Sequence, residues 1–390
     1  MGQTVTVPAS VLGGAAGGTS SFTTEYSYTA GGFPETVTLP AAGGLGAEEV
    51  TTRYDERGMP EWMGSGFGWG AYVADARYTA FGEKSVLDLG NTFGPVVSCE
   101  YQQATHRLVR IGRDRARVNG TELDVRYGYD VAGNILSAKD DPTAAGTADD
   151  NQCFTYDALR RLTSAWTPST GSCSAAPSTR ALGGPAAYWT DYAYDTVGNR
   201  TSMTSHQASG DVTAAYTYGP STADPDAGVH ALTGVATTTA GGAPTAASYV
   251  YDAAGNTVNR PFGTGTQVLG WDGEGRLAQV VTSGTGGAGE NQLTAGEASF
   301  VYSADGERLV RKDASGTTLY LPGGQELTNH TAGSAAGTTN STRYYGFGGQ
   351  TVAVRDGRGL GGVSSLVNDV HGTALAVVHN TKYTLTRNFA

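Results

Sequence analysis

The chain has 390 residues, of which 39% are hydrophobic and 16% charged, with a net charge of −11 and a pI near 5.0. That is enough for a large core or more than one domain, and 9% aromatic residues exclude a disordered composition. The acidic balance disfavours nucleic acid, no apolar run approaches the ~20 residues that span a bilayer, and Met1-Gly2-Gln3-Thr4 does not open a basic-then-apolar leader.

Fifty-eight glycines and 21 tyrosines point to strands joined by many turns. In chain order, a glycine-rich loop lies around Ala42-Gly43-Gly44, and the first clear repeat follows: Tyr54-Asp55-Glu56-Arg57-Gly58. Weaker echoes surround Tyr28, Tyr78, Tyr101 and Tyr218. The basic stretch Arg107, Arg110, Arg113, Arg115 and Arg117 reads as a solvated strand face. Tyr129-Asp130-Val131-Ala132-Gly133-Asn134 is the second clear copy. Asp140, Asp141, Asp149 and Asp150 lack the spacing of a calcium loop and read as solvated loop carboxylates. Tyr156-Asp157 begins a copy with Arg160 in place of glycine, and Tyr194-Asp195-Thr196-Val197-Gly198-Asn199 restores the pattern. Tyr251-Asp252-Ala253-Ala254-Gly255-Asn256 follows, then Trp271-Asp272-Gly273-Glu274-Gly275, where tryptophan replaces tyrosine. Tyr302-Ser303-Ala304-Asp305-Gly306 is degenerate. Low-complexity segments at 143–150, 237–247, 284–290 and 332–339 read as loops between hairpins.

The unit has a physical reading. Aspartate at the first turn position accepts backbone N–H bonds two residues on. Two permissive residues follow, and glycine takes the left-handed position of the bulge that closes a hairpin. Alternation before the turn, as in Phe154-Thr155-Tyr156 and Tyr192-Ala193-Tyr194, marks a strand. No 3.6-residue apolar stripe appears. Lone hairpins are marginal, so they must pair edge to edge into a long, curling sheet.

These Tyr-Asp-x-x-Gly-Asn copies resemble the rearrangement-hotspot (Rhs), or YD-repeat, family, which includes the shells of teneurins and of insecticidal toxin complexes. The resemblance covers roughly residues 50–390. Tyr344-Tyr345-Gly346-Phe347 and Leu366-Val367-Asn368-Asp369 look like the approach to the family's core-associated segment. It implies an all-β spiral of antiparallel hairpins forming part of a hollow shell, with residues 1–350 as repeat wall and 351–390 as the start of the core-associated segment. It further implies a secreted or cell-surface polymorphic toxin, with the rest of the shell and an enclosed C-terminal toxin domain as partners. The family's self-cleavage motif is not seen; Asp141-Pro142 and Asp224-Pro225 read as turns. Because the array stops at Ala390, its last strands are expected to lack cover and the chain to self-associate.

No catalytic, cofactor or metal site is expected. Gly284-Thr285-Gly286-Gly287-Ala288-Gly289 does not sit between strand and helix, and the six histidines are scattered, His371 and His379 being the closest pair. Cys153 and Cys173 are compatible with a bridge or with two separate thiols. Two other readings compete: an extracellular module binding carbohydrate or protein through aromatic strands, and a glycosidase propeller with Asp-box turns. The turns here are followed by leucine where an Asp-box requires tryptophan, which ranks the propeller last.

Overall fold

The computed structural model describes residues 1–13, 18–66, 70–90, 94–116, 118–263, 265–283, 297–357, 359–369, 372–381 and 385–387. Among them there is no α-helix; the chain is all antiparallel β. A six-stranded sheet spans residues 2–73, and two thirteen-stranded sheets span 75–248 and 250–387. Within each sheet every strand pairs with its neighbours in sequence, and no sheet closes into a barrel. Meanders of this length also exclude a propeller of four-stranded blades.

The sheets are one ribbon. Ala71–Val73 pairs with the preceding strand and Asp75–Tyr78 with the following one, so a single strand passes between sheets at Ala74. Thr245–Ser248 and Val250–Tyr251 repeat the arrangement around Tyr249.

Partners across a ladder share a face, and alternate residues point oppositely. Tyr26 pairs with Val37 and Val37 with Val50, so the face carrying the repeat tyrosines also carries Leu39 and Val50. At the other end, Leu319 pairs with Leu327 and Arg343 with Arg355, while Tyr320 and Tyr344 point away. The main core joins Leu39, Val50, Leu87, Val97, Ile111 and Val125 to Tyr345, Ala353, Val363 and Val367. The tyrosine face of the first strands is therefore covered by the opposite face of the last ones. A ribbon doubled back on itself would bury one face against itself; contact between opposite faces is the overlap of a scroll. The expectation that the last strands lack cover fails here, because the first strands provide it. Among the described residues no buried member of either core cluster lies between 126 and 318, where the wall is a single layer.

Candidate functional site

The sites that matter here are those that hold the wall together: the repeat turns, the contacts between successive turns, and the overlap of the two ends. Asp55 Oδ1 accepts the N–H of Arg57 and of Met59, both at 2.9 Å, and Gly58 N–H donates to Asp55 O. Gly58 has φ +79°, Gly133 +97°, Gly198 +103°, Gly255 +86° and Gly275 +75°. Each of these turns ends on a β-bulge at its aromatic residue. The second carboxylate oxygen is also engaged. It accepts the side-chain amides of Asn134, Asn199 and Asn256 in the Asp130, Asp195 and Asp252 turns, and the guanidinium Nε of Arg161 and Arg276 in the Asp157 and Asp272 turns. Arg160 takes φ +63° where the Asp157 turn has no glycine.

All six carboxyls lie below the usual range. For Asp55, Asp157 and Asp272 the leading cause is the backbone N–H four residues on, and for Asp252 it is the Asn256 amide. For Asp130 and Asp195 partial desolvation pulls upward and the Asn134 and Asn199 donors outweigh it. Gly133→Val and Gly198→Val force a β-branched residue into φ near +100°. Each is expected to lower stability by about 1–3 kcal/mol in urea unfolding; neutral results at both would refute the turn assignment.

The tyrosines link one turn to the next. Tyr54 Oη donates to Pro34 O at 2.6 Å, Tyr78 to Pro60 O at 2.7 Å, Tyr101 to Lys84 O at 2.9 Å and Tyr129 to Leu108 O at 2.6 Å. Tyr156, Tyr194, Tyr218 and Tyr251 continue onto Ile135, Leu162, Arg200 and Leu232. Trp271 Nε1 reaches Thr257 O at 2.9 Å and Tyr302 Oη reaches Leu277 O at 2.8 Å. In every case the acceptor is the residue that opens the return strand of the preceding hairpin. Ten consecutive rungs explain why the motif needs an aromatic ring with a donor at its tip, a need that tryptophan meets and phenylalanine does not. Desolvation raises the phenol pKa of Tyr54, Tyr101, Tyr129 and Tyr156, so each stays a donor. Arg161 stacks on Tyr194 and Arg276 on Tyr302, adding cation–π contacts across the same steps. Tyr129→Phe should cost about 1 kcal/mol through its unpaired carbonyl partner, and Trp271→Phe a similar amount. Equal unfolding midpoints for wild type and both variants would dismiss the ladder as incidental.

Sequence reasoning passed over part of this. Thr29 and Thr79 stand where the motif has aspartate, and their hydroxyls accept the N–H of Phe33 and of Phe81 and Glu83. Asp369 caps another turn through Thr373 N–H, beside Gly372 at φ +84°.

The overlap of the ends is locked by one carboxylate. Glu48 is buried and accepts Tyr72 Oη at 2.5 Å, Tyr345 Oη at 2.8 Å, and Nη1 of Arg343 and of Arg355 at 2.8 Å each. Arg343 also donates to Pro40 O and Gly46 O, and the Tyr72 and Tyr345 rings stack at 3.8 Å. Gly43 O accepts Ser341 N–H, and Thr24 Oγ1 donates to Pro322 O. Apart from the Tyr72–Glu48 bond, these contacts join residues about three hundred positions apart.

Other sequence expectations need correction. The basic stretch is not a solvated face. Arg113 and Arg115 are buried on the Ile111 side of their strand, and Glu122 bonds Arg115 at 2.5 and 2.6 Å. Arg110 faces the other way, with Glu100 and Asp124; Arg117 lies outside the described residues. Asp140 is a buried strand residue whose Oδ1 accepts Asp124 N–H, while Asp141 and Asp149 are exposed. Cys153 and Cys173 are bridged, with Cα atoms 5.5 Å apart, and Cys99 is free. The glycine string 284–289 and His371 lie outside the described residues. Among the described residues no group of three metal-ligating side chains converges, and no helix is long and apolar enough to cross a membrane.

No protein-family model matches the sequence, and no curated protein does. Solved structures do. The chain superposes on a TcdB2-TccC3 crystal structure with TM-score 0.61 and 17% identity, covering 94% of this chain and 18% of that one. TcdB2-TccC3 without its hypervariable C-terminal region gives 0.60 at 18% identity, covering 94% and 17%. The Photorhabdus luminescens Tc holotoxin pore gives 0.59 at 18% identity, covering 92% and 17%. The likeness is one of fold, and this chain spans less than a fifth of the chains it matches.

Proposed function

We propose that this chain is a non-catalytic wall segment of an Rhs-type, YD-repeat toxin shell, with residues 1–350 as repeat wall and 351–390 as the beginning of the core-associated segment. The observation that carries the reading is the ribbon itself: an uninterrupted meander, cross-tied by one hydrogen bond per repeat and wound so that its end overlaps its beginning. Its fold likeness to TcdB2-TccC3 supports the same reading. The partners are then the rest of the shell and an enclosed C-terminal toxin domain. The disulfide suits a secreted or cell-surface protein.

Side chains two positions before the repeat aromatic support an enclosing wall. They are Thr52, Ala76, Cys99 and Tyr127 in the stretch beside the core, and Phe154, Tyr192, Tyr216, Tyr249, Leu269 and Phe300 where the wall is single. A face this rich in aromatic side chains suits contact with an enclosed polypeptide. The test is limited proteolysis of the gene product extended beyond Ala390. The reading predicts that the extension resists protease while this wall is folded. Cleavage as fast as that of the free extension would overturn it.

A further inference from the structure

Where the two ends overlap, a cavity of about 200 Å³ remains between the layers. One wall is Lys84, Leu87, Val97, Cys99, Leu108 and Ile111; the facing wall comes from 348–350 and 366–369. Its lining is mostly aliphatic, and it contains one ammonium. Lys84 is half-buried, and its ammonium has no hydrogen-bond or ion-pair partner among the described residues. Its Nζ crosses the seam, lying 3.6 Å from where a Cβ on Gly348 would stand. The nearby Asp369 carboxylate is engaged in capping its own turn. The Tyr78 and Tyr101 hydroxyls are committed to Pro60 O and Lys84 O.

A partly desolvated cation without a counter-ion is unfavourable, and so is apolar lining left open to water. One class of molecule relieves both: a compact apolar body bearing a single carboxylate. We propose that this seam cavity is a binding site for small apolar carboxylates, with the Lys84 ammonium as counter-ion and the Leu87, Val97, Leu108 and Ile111 side chains around the hydrocarbon. At about 200 Å³ the cavity admits a molecule of benzoate or hexanoate size and is below the usual range for drug-sized ligands. Desolvation already pulls the Lys84 pKa down, and a bound carboxylate would restore it. The site is independent of the shell reading.

Cys99 supplies the readout. It lines the cavity and is the chain's free thiol, Cys153 and Cys173 being bridged. Its alkylation by iodoacetamide is followed on the oxidised 390-residue chain with benzoate, hexanoate, or the uncharged benzamide and hexanol. The site predicts saturable protection by the carboxylates, at least fivefold at saturation, with the neutral analogues at least tenfold weaker. Lys84→Met should abolish the difference between charged and neutral ligands, and Lys84→Arg should retain it. No protection, or equal protection by benzoate and benzamide in the wild type, would overturn the proposal without any variant having to fold.

Discussion

Glu48→Ala should destabilise the chain by about 3–5 kcal/mol, the largest single-residue effect expected here, because it leaves two buried guanidinium groups short of their counter-ion. Neither Glu48 nor Arg343 exposes its side chain, and Tyr72 and Tyr345 complete the carboxylate's shell. Burial alone would raise the Glu48 pKa. The Tyr72 and Tyr345 hydrogen bonds, then the Arg355 and Arg343 charges, outweigh it and hold the carboxyl below its ordinary 4.5. A carboxyl depressed in the folded state contributes stability in full above its unfolded value, and that contribution is lost as pH falls through the folded one. Wild type should therefore weaken progressively as pH falls below about 4.5. Glu48→Gln should be less stable at neutral pH and show a shallower acid dependence, read from urea midpoints across the pH series. Parallel curves for the two proteins would show that Glu48 is not the titrating lock.

Reduction of the Cys153–Cys173 bridge should lower stability by about 3 kcal/mol, from the loop entropy it removes from the unfolded chain over a separation of 20 residues. Cys153 is fully buried on its strand, and Cys173 belongs to the long connection between Leu162–Trp166 and Trp189–Tyr194. Backbone hydrogen bonds join Thr167 to Tyr188 and Ser169 to Ala181 within that connection, and the bridge ties the segment between them to Cys153. Denaturant unfolding with and without reductant measures the difference, and Cys173→Ser should match the reduced wild type. An unchanged midpoint on reduction would mean the loop is already ordered without the bridge.

The local grammar was legible because each part of it lies within six residues. Asp130, Gly133 and Asn134 announce a capped, bulged turn by their chemistry, and Tyr129 announces the strand before it. The ladder was half visible: tyrosine outnumbers phenylalanine 21 to 10, and only its hydroxyl distinguishes the two. Its acceptors, 14 to 32 positions upstream, are set by pairing register, which one strand does not reveal. Thr29 and Thr79 were faint because a hydroxyl caps the same turn with weaker sequence contrast. The Glu48 lock could not be read at all, since Glu48, Arg343 and Arg355 are ordinary charged residues until the ribbon winds round. Arg113 and Arg115 misled for a related reason. Charge in a strand reads as solvent exposure, yet their alternation with Ile111 places them inward, where Glu122 pairs with Arg115 at 2.5 Å and lies 3.6 Å from Arg113.

Hydrogen exchange under native conditions tests the winding itself. If the last strands cover the first, amides of Pro34–Leu39 and Glu48–Tyr54 should open together with those of Thr339–Phe347 and Val363–Asn368, at one shared free energy. Glu48→Ala should lower all four segments by the same amount and leave Trp189–Tyr194 in the single-layer wall little changed. Independent opening of the two ends, or loss of protection in Glu48→Ala confined to the strand that carries it, would contradict a ribbon closed by the overlap of its own ends.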